Sequence, residues 1–182
     1  MPFFSSLPDD AGVRHVLTLN PRAGRALVDF HTAVLRQPSA LSEGERELIA
    51  AYVSALNQCR YCAGVHGATA EAFGVEPDLL ARMVDDLDGA GIDERLLPIM
   101  RYARKLTLEP ARMVQADAEA VLAAGWDERA LHDAVNVIAL FNFMNRLVEG
   151  HGIKGAPAIW TERARALHQA GYEPIRDLLA SA

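Results

Sequence analysis

With 182 residues, 51% of them hydrophobic and 23% charged, the chain has the size and composition of one globular domain with a substantial core. Eighteen Lys and Arg against 24 Asp and Glu give a net charge of -6 with no basic cluster, which argues against a nucleic-acid partner. No apolar run reaches the ~18–20 residues of a membrane span, since the longest, Val135 to Met144, is interrupted by Asn136 and Asn142. The start, Met1-Pro2-Phe3-Phe4-Ser5, has no basic region ahead of an apolar stretch, so no signal peptide and a cytoplasmic address are expected.

In chain order the pattern predicts helices almost throughout, with 3.6-residue apolar spacing and no alternating β-branched stretches. Pro21 opens a helix to Leu35 that Pro38 ends. Ser42 and Glu45 form a capping box for a second, which turns Leu48, Ile49, Tyr52, Val53 and Leu56 inward. A third starts about the cysteines and runs to Phe73, stopped by Gly74. Pro77 begins a short helix to about Leu87, and Asp93 caps another to about Thr107. Residues 115–124 form a helix closed by Gly125. Asp127 then caps a long one to Glu149, ended by Gly150 and Gly152. Two more follow, at 161–170 and from Pro174. The expectation is a single all-α domain over residues 1–182. Residues 126–152 echo the segment leading to the cysteines, which suggests a duplicated helical hairpin.

The two cysteines stand three apart in Cys59-Arg60-Tyr61-Cys62, followed by His66 and preceded by Glu47. On a helix, residues three apart are ~60° apart in azimuth and ~4.5 Å along the axis, so Cys59 and Cys62 share a face. Their Cα atoms would lie roughly 5–5.5 Å apart, within disulfide range. His66, four residues past Cys62, lies on that face one turn on. On one unbroken helix Glu47 would be about 18 Å from Cys59 and have no role. A turn at Leu56-Asn57-Gln58 folds the carboxylate back. Asn57 suits it, because asparagine tolerates left-handed backbone angles. The same break places the thiols in a first helical turn, where free N–H groups and the dipole favour a thiolate. In a reducing compartment such a pair is catalytic or metal-binding sooner than structural.

Glu47, eleven intervening residues, Cys59-x-x-Cys62, three residues and His66 resemble the motif of the alkylhydroperoxidase AhpD-like proteins, within the carboxymuconolactone decarboxylase superfamily. The flanking run Asn57 to His66 strengthens the match. The start Leu7-Pro8 and the later run Phe141-Asn142-Phe143-Met144-Asn145-Arg146 are similar to the peroxidase-related branch. The motif core spans about residues 41–83. The resemblance implies an AhpD-like helical bundle, homo-oligomeric, that reduces small-molecule peroxides without cofactor or metal. It implies that Cys62 attacks the peroxide and becomes a sulfenic acid, that Cys59 resolves it as a disulfide, and that Glu47 and His66 relay the proton. An external dithiol or thioredoxin-like reductant would restore the pair. The alkylhydroperoxidase D proteins carry a second histidine between the cysteines, where this chain has Tyr61.

Alternatives on the same residues are two buried apolar thiols, a zinc site of Cys59, Cys62, His66 and Glu47, a decarboxylase-type acid–base enzyme, and a non-enzymatic redox sensor. His15, His31, His132, His151 and His168 stand alone and are expected to be solvated or satisfied. Asn142, Asn145 and Arg146 are expected at a helix–helix or subunit contact. Phe141, Phe143 and Met144 are expected in core or interface.

Overall fold

The computed structural model describes residues 1–181, and among them the secondary structure is helical, with ten α-helices and no strand. α1 (Val13–Thr18) was not foreshadowed by any cap signal; its N-cap is Gly12, and His15 Nδ1 accepts the Gly12 N–H at 3.0 Å. α2 (Pro21–Leu35) starts at its proline behind Asn20, whose side chain accepts the Ala23 N–H. α3 (Glu43–Leu56) has the expected reciprocal cap: Ser42 Oγ accepts the Glu45 N–H at 3.2 Å, and Glu45 Oε2 accepts the Ser42 N–H at 2.6 Å. α4 (Arg60–Ala72) stops at Gly74, whose φ of 93° lies where residues with a Cβ are strained.

α5 (Leu79–Asp85) begins two residues past Pro77, because Asp78 takes a left-handed φ of 62° that cannot belong to the helix. α6 (Leu97–Leu108) begins later than its cap signal. Asp93 instead accepts the Arg95 N–H in a preceding turn, and Pro98 falls in the first turn, where no N–H is needed. α7 (Gln115–Ala123) and α8 (Glu128–Gly150) follow, the latter capped by Asp127 Oδ1 on the Ala130 N–H at 2.7 Å. α9 (Pro157–Ala170) starts at its own proline, four residues ahead of the expected position. α10 (Glu173–Ala180) closes the chain. α8 runs unbroken through Asn142 and Asn145, whereas the cysteine segment is split between α3 and α4.

α3 is the central helix. Leu48, Ile49, Tyr52 and Val53 are buried, and it packs against α4, α8 and α6. α9 lies over α4 at a close approach that requires Gly64, where a Cβ would come 2.3 Å from the Trp160 indole. No helix among the described residues is long and apolar enough to cross a membrane.

Candidate functional site

The site begins with the turn between α3 and α4. The Gln58 N–H donates to Ala55 O at 2.9 Å, and the Cys59 N–H donates to Ser54 O at 2.9 Å. This is the paired bonding of a Schellman stop, which needs a left-handed residue after the C-cap. Gln58 takes that conformation, with φ 59°, and not Asn57, whose φ is -80°. Asn57 contributes through its side chain: Nδ2 donates to Asn142 Oδ1 and Asn145 Oδ1 at 3.1 and 3.0 Å. Asn145 in turn donates to Ser54 Oγ at 2.9 Å. Two asparagines of α8 therefore clamp the turn, a helix–helix contact as expected, and Cys59 becomes the N-cap residue of α4.

Folding α4 back on α3 brings Glu47 to His66. Glu47 has no solvent exposure, and its Oε2 lies 2.6 Å from His66 Nδ1. A carboxylate only accepts, so Nδ1 carries a hydrogen, and in the neutral imidazole Nε2 keeps its lone pair. Arg36, at the end of α2, donates from Nη2 to Glu47 Oε1 at 2.6 Å. Burial pushes the Glu47 carboxyl up. The charge and hydrogen bond of His66, joined by those of Arg36, outweigh burial and hold it below the usual range. Glu47 is thus a buried anion with both oxygens engaged. Sequence reasoning missed Arg36, although a carboxylate on the apolar face of α3 demands a cation from somewhere.

Both cysteines are buried and reduced. The hydrogen bond from Cys62 holds the Cys59 thiol below its ordinary range, against burial and the nearby Glu149 carboxylate, and the Cys62 backbone N–H helps. Donating that bond, together with burial, pushes Cys62 well up, opposed by a hydrogen bond from Asn145. The two thiols therefore titrate as one unit, which gives up its first proton readily and its second reluctantly. Among the described residues no group of three or more His, Cys, Asp or Glu is placed to hold a metal, and Glu47 is occupied by Arg36 and His66.

Cys62 and His66 open on one cavity of about 60 Å³, walled by aliphatic side chains of α1, α2, α4, α9 and α10, with Phe141 and Met144 from α8. Phe143 is half exposed, on the other side of α8. His31 is satisfied by the backbone, as expected, and it also lines the cavity, a position beyond that expectation. Its Nδ1 bonds Leu27 O at 2.7 Å, and burial lowers its pKa to about 4. Its place on the apolar stripe of α2, with Val28, Val34 and Leu35, was the available signal. Tyr172, just before α10, lines the cavity as well and had no sequence signal. Tyr61, where the family's second histidine stands, faces the chain's own N-terminal segment: its Oη accepts the Val13 N–H at 3.3 Å. The other histidines are engaged locally, as with His151 on Leu147 O and His132 on Asn136, while His168 meets the Phe73 ring edge-on.

Residues 21–105 match the Carboxymuconolactone decarboxylase family. Among curated proteins no sequence matches. Two solved structures are similar over most of the chain. An uncharacterized peroxidase-related protein from Silicibacter sp. TM1040 is 29% identical with a TM-score of 0.76, covering 84% of this chain and 80% of that one. An alkylhydroperoxidase AhpD core, described as an uncharacterized peroxidase-related protein from Ralstonia eutropha JMP134, is 27% identical with a TM-score of 0.76, covering 88% and 92%. In its helical architecture and in these matches, the chain is similar to the AhpD-like proteins of the carboxymuconolactone decarboxylase superfamily.

Proposed function

We propose that the protein is a thiol-dependent peroxidase that reduces peroxides through a Cys59/Cys62 dithiol–disulfide cycle, with Glu47 and His66 as its proton relay. The observation that carries this function is the buried 2.6 Å contact of His66 Nδ1 with Glu47 on a histidine that shares its cavity with Cys62. His66 Nε2 takes the first proton of the thiol pair, Glu47 stabilises the imidazolium that results, and the proton left on the pair passes to Cys59, so that Cys62 becomes the thiolate. The Cys62 thiolate attacks the terminal peroxide oxygen: an S–O bond forms, the O–O bond breaks, and the alkoxide leaves with the proton from His66. Cys59 then attacks the Cys62 sulfur, the S–S bond forms, and hydroxide departs and is protonated to water. An external dithiol or thioredoxin-like protein returns two electrons. The cycle suits a reducing cytoplasm and a homo-oligomer of the AhpD kind.

Stopped-flow mixing of the reduced protein with an alkyl hydroperoxide should consume two thiols per chain. If Cys62→Ser consumes peroxide as fast as the parent, the assignment is wrong. A second function, acid–base catalysis of the lactone decarboxylase type, is favoured by the Glu47–His66 dyad alone, since proton transfer needs no thiol. Full turnover of such a substrate after thiol alkylation would establish it in place of the first.

A further inference from the structure

Tyr172, like His31, Tyr61 and Arg163, is a polar side chain on the cavity lining that neither the relay nor the dithiol uses. Its ring is buried, and its hydroxyl has no hydrogen-bond partner although it lines the same cavity as Cys62 and His66. Buried phenols ordinarily find a partner, because an unmade hydrogen bond leaves the hydroxyl desolvated for nothing. Beside it, at 5.0 Å between ring centroids, stands His31. The bond of His31 Nδ1 to Leu27 O places the hydrogen there and leaves Nε2 as an acceptor. Against a wall of Leu17, Val28 and Ile175, with the Arg163 cation also on the lining, the two rings offer one donor and one acceptor. A hydroperoxide group is the complement: one O–H to give, and oxygen lone pairs to receive.

We propose that the Tyr172 hydroxyl is a substrate-binding donor that hydrogen-bonds the RO oxygen of an organic hydroperoxide, with His31 Nε2 accepting from the terminal O–H. This role rests on the peroxidase function proposed above. As the Cys62 S–O bond forms and the O–O bond breaks, negative charge gathers on the RO oxygen. Tyr172 meets that charge by hydrogen bond, and the proton that completes the alcohol still comes from His66. Burial pushes the phenol well up, so it keeps its own proton. Tyr172 lies outside residues 21–105, so this donor is supplied by the part of the chain beyond the family match.

Tyr172→Phe removes one unpartnered oxygen and nothing else. Three measurements on the reduced full chain decide the matter: single-turnover thiol oxidation by tert-butyl hydroperoxide, alkylation by iodoacetamide, and the Tm. Oxidation should slow about tenfold or more, as when a donor to a developing oxyanion is removed. Alkylation should stay within about twofold of the parent, because the thiolate is formed as before. The Tm should hold or rise, because no hydrogen bond of the folded state is lost. Oxidation slowed by less than about tenfold, in a parent that is itself oxidised, removes the role from Tyr172 and leaves the peroxidase function intact. A lowered Tm with a matching fall in alkylation assigns the hydroxyl to the fold and overturns the proposal. A parent inert to the peroxide sinks both.

Discussion

Mild acid should destabilise this protein through His31. The ring is buried on the apolar face of α2, its Nδ1 held by Leu27 O, and its pKa falls from 6.5 to about 4 chiefly because burial opposes the charge. A histidine lowered on folding is protonated first in the unfolded chain. Its contribution is therefore complete above about pH 6.5 and is lost as pH falls toward about 4. The gap between 6.5 and about 4 corresponds to roughly 3 kcal/mol in full, and to about 2 kcal/mol at pH 5. Glu47, held below the ordinary carboxylate range, loses its contribution only at more acid pH, so the window above about pH 5 separates the two. His15, also lowered by burial, acts alike in parent and variant. Urea unfolding from about pH 7.5 to about pH 5 should cost the parent ~2 kcal/mol more than His31→Gln. Parallel stability curves for the two proteins, or an NMR titration of His31 with an ordinary midpoint, would refute the reasoning.

Glu47→Gln should cost about 3 kcal/mol in chemical denaturation, because it leaves the Arg36 cation beside an uncharged amide, with only the half-exposed Glu43 at 3.7 Å as a counter-charge. In the same variant peroxide-driven thiol oxidation should slow by at least ~100-fold, the scale of lost general acid–base assistance. Gln58→Gly should raise stability by about 1 kcal/mol, read from the urea midpoint, since it relieves the left-handed strain at φ 59° without touching the turn's hydrogen bonds. Gly64→Ala should destabilise by ~1–3 kcal/mol and shift tryptophan fluorescence, because the new methyl would sit 2.3 Å from the Trp160 indole and push α9 off α4.

What could be read in the sequence was local. The Ser42–Glu45 box, Pro21 in the first turn of α2, Asp127, and the stops at Gly74 and Gly125 act through neighbours within a few residues, and each lies where an element begins or ends. The left-handed position of the α3–α4 turn fell to Gln58 because a Schellman stop places that conformation one residue past the C-cap, and Asn57 is the C-cap. Asn57 is used instead for its amide, whose partners on α8 are more than eighty residues away.

The spacing of Glu47, Cys59, Cys62 and His66 carried the nucleus of the site, since three of the four share one helix end and its N-cap and the fourth returns by a single turn. The surroundings of that nucleus were decided by packing. Arg36 reaches Glu47 from α2, Asn145 and Glu149 reach the thiols from α8, and His31 and Tyr172 close the cavity from α2 and the start of α10. A one-dimensional pattern encodes which residues share a helix face. Which faces meet, and therefore which charges are paired and which hydroxyl is left without a partner, depends on how the helices share one interior.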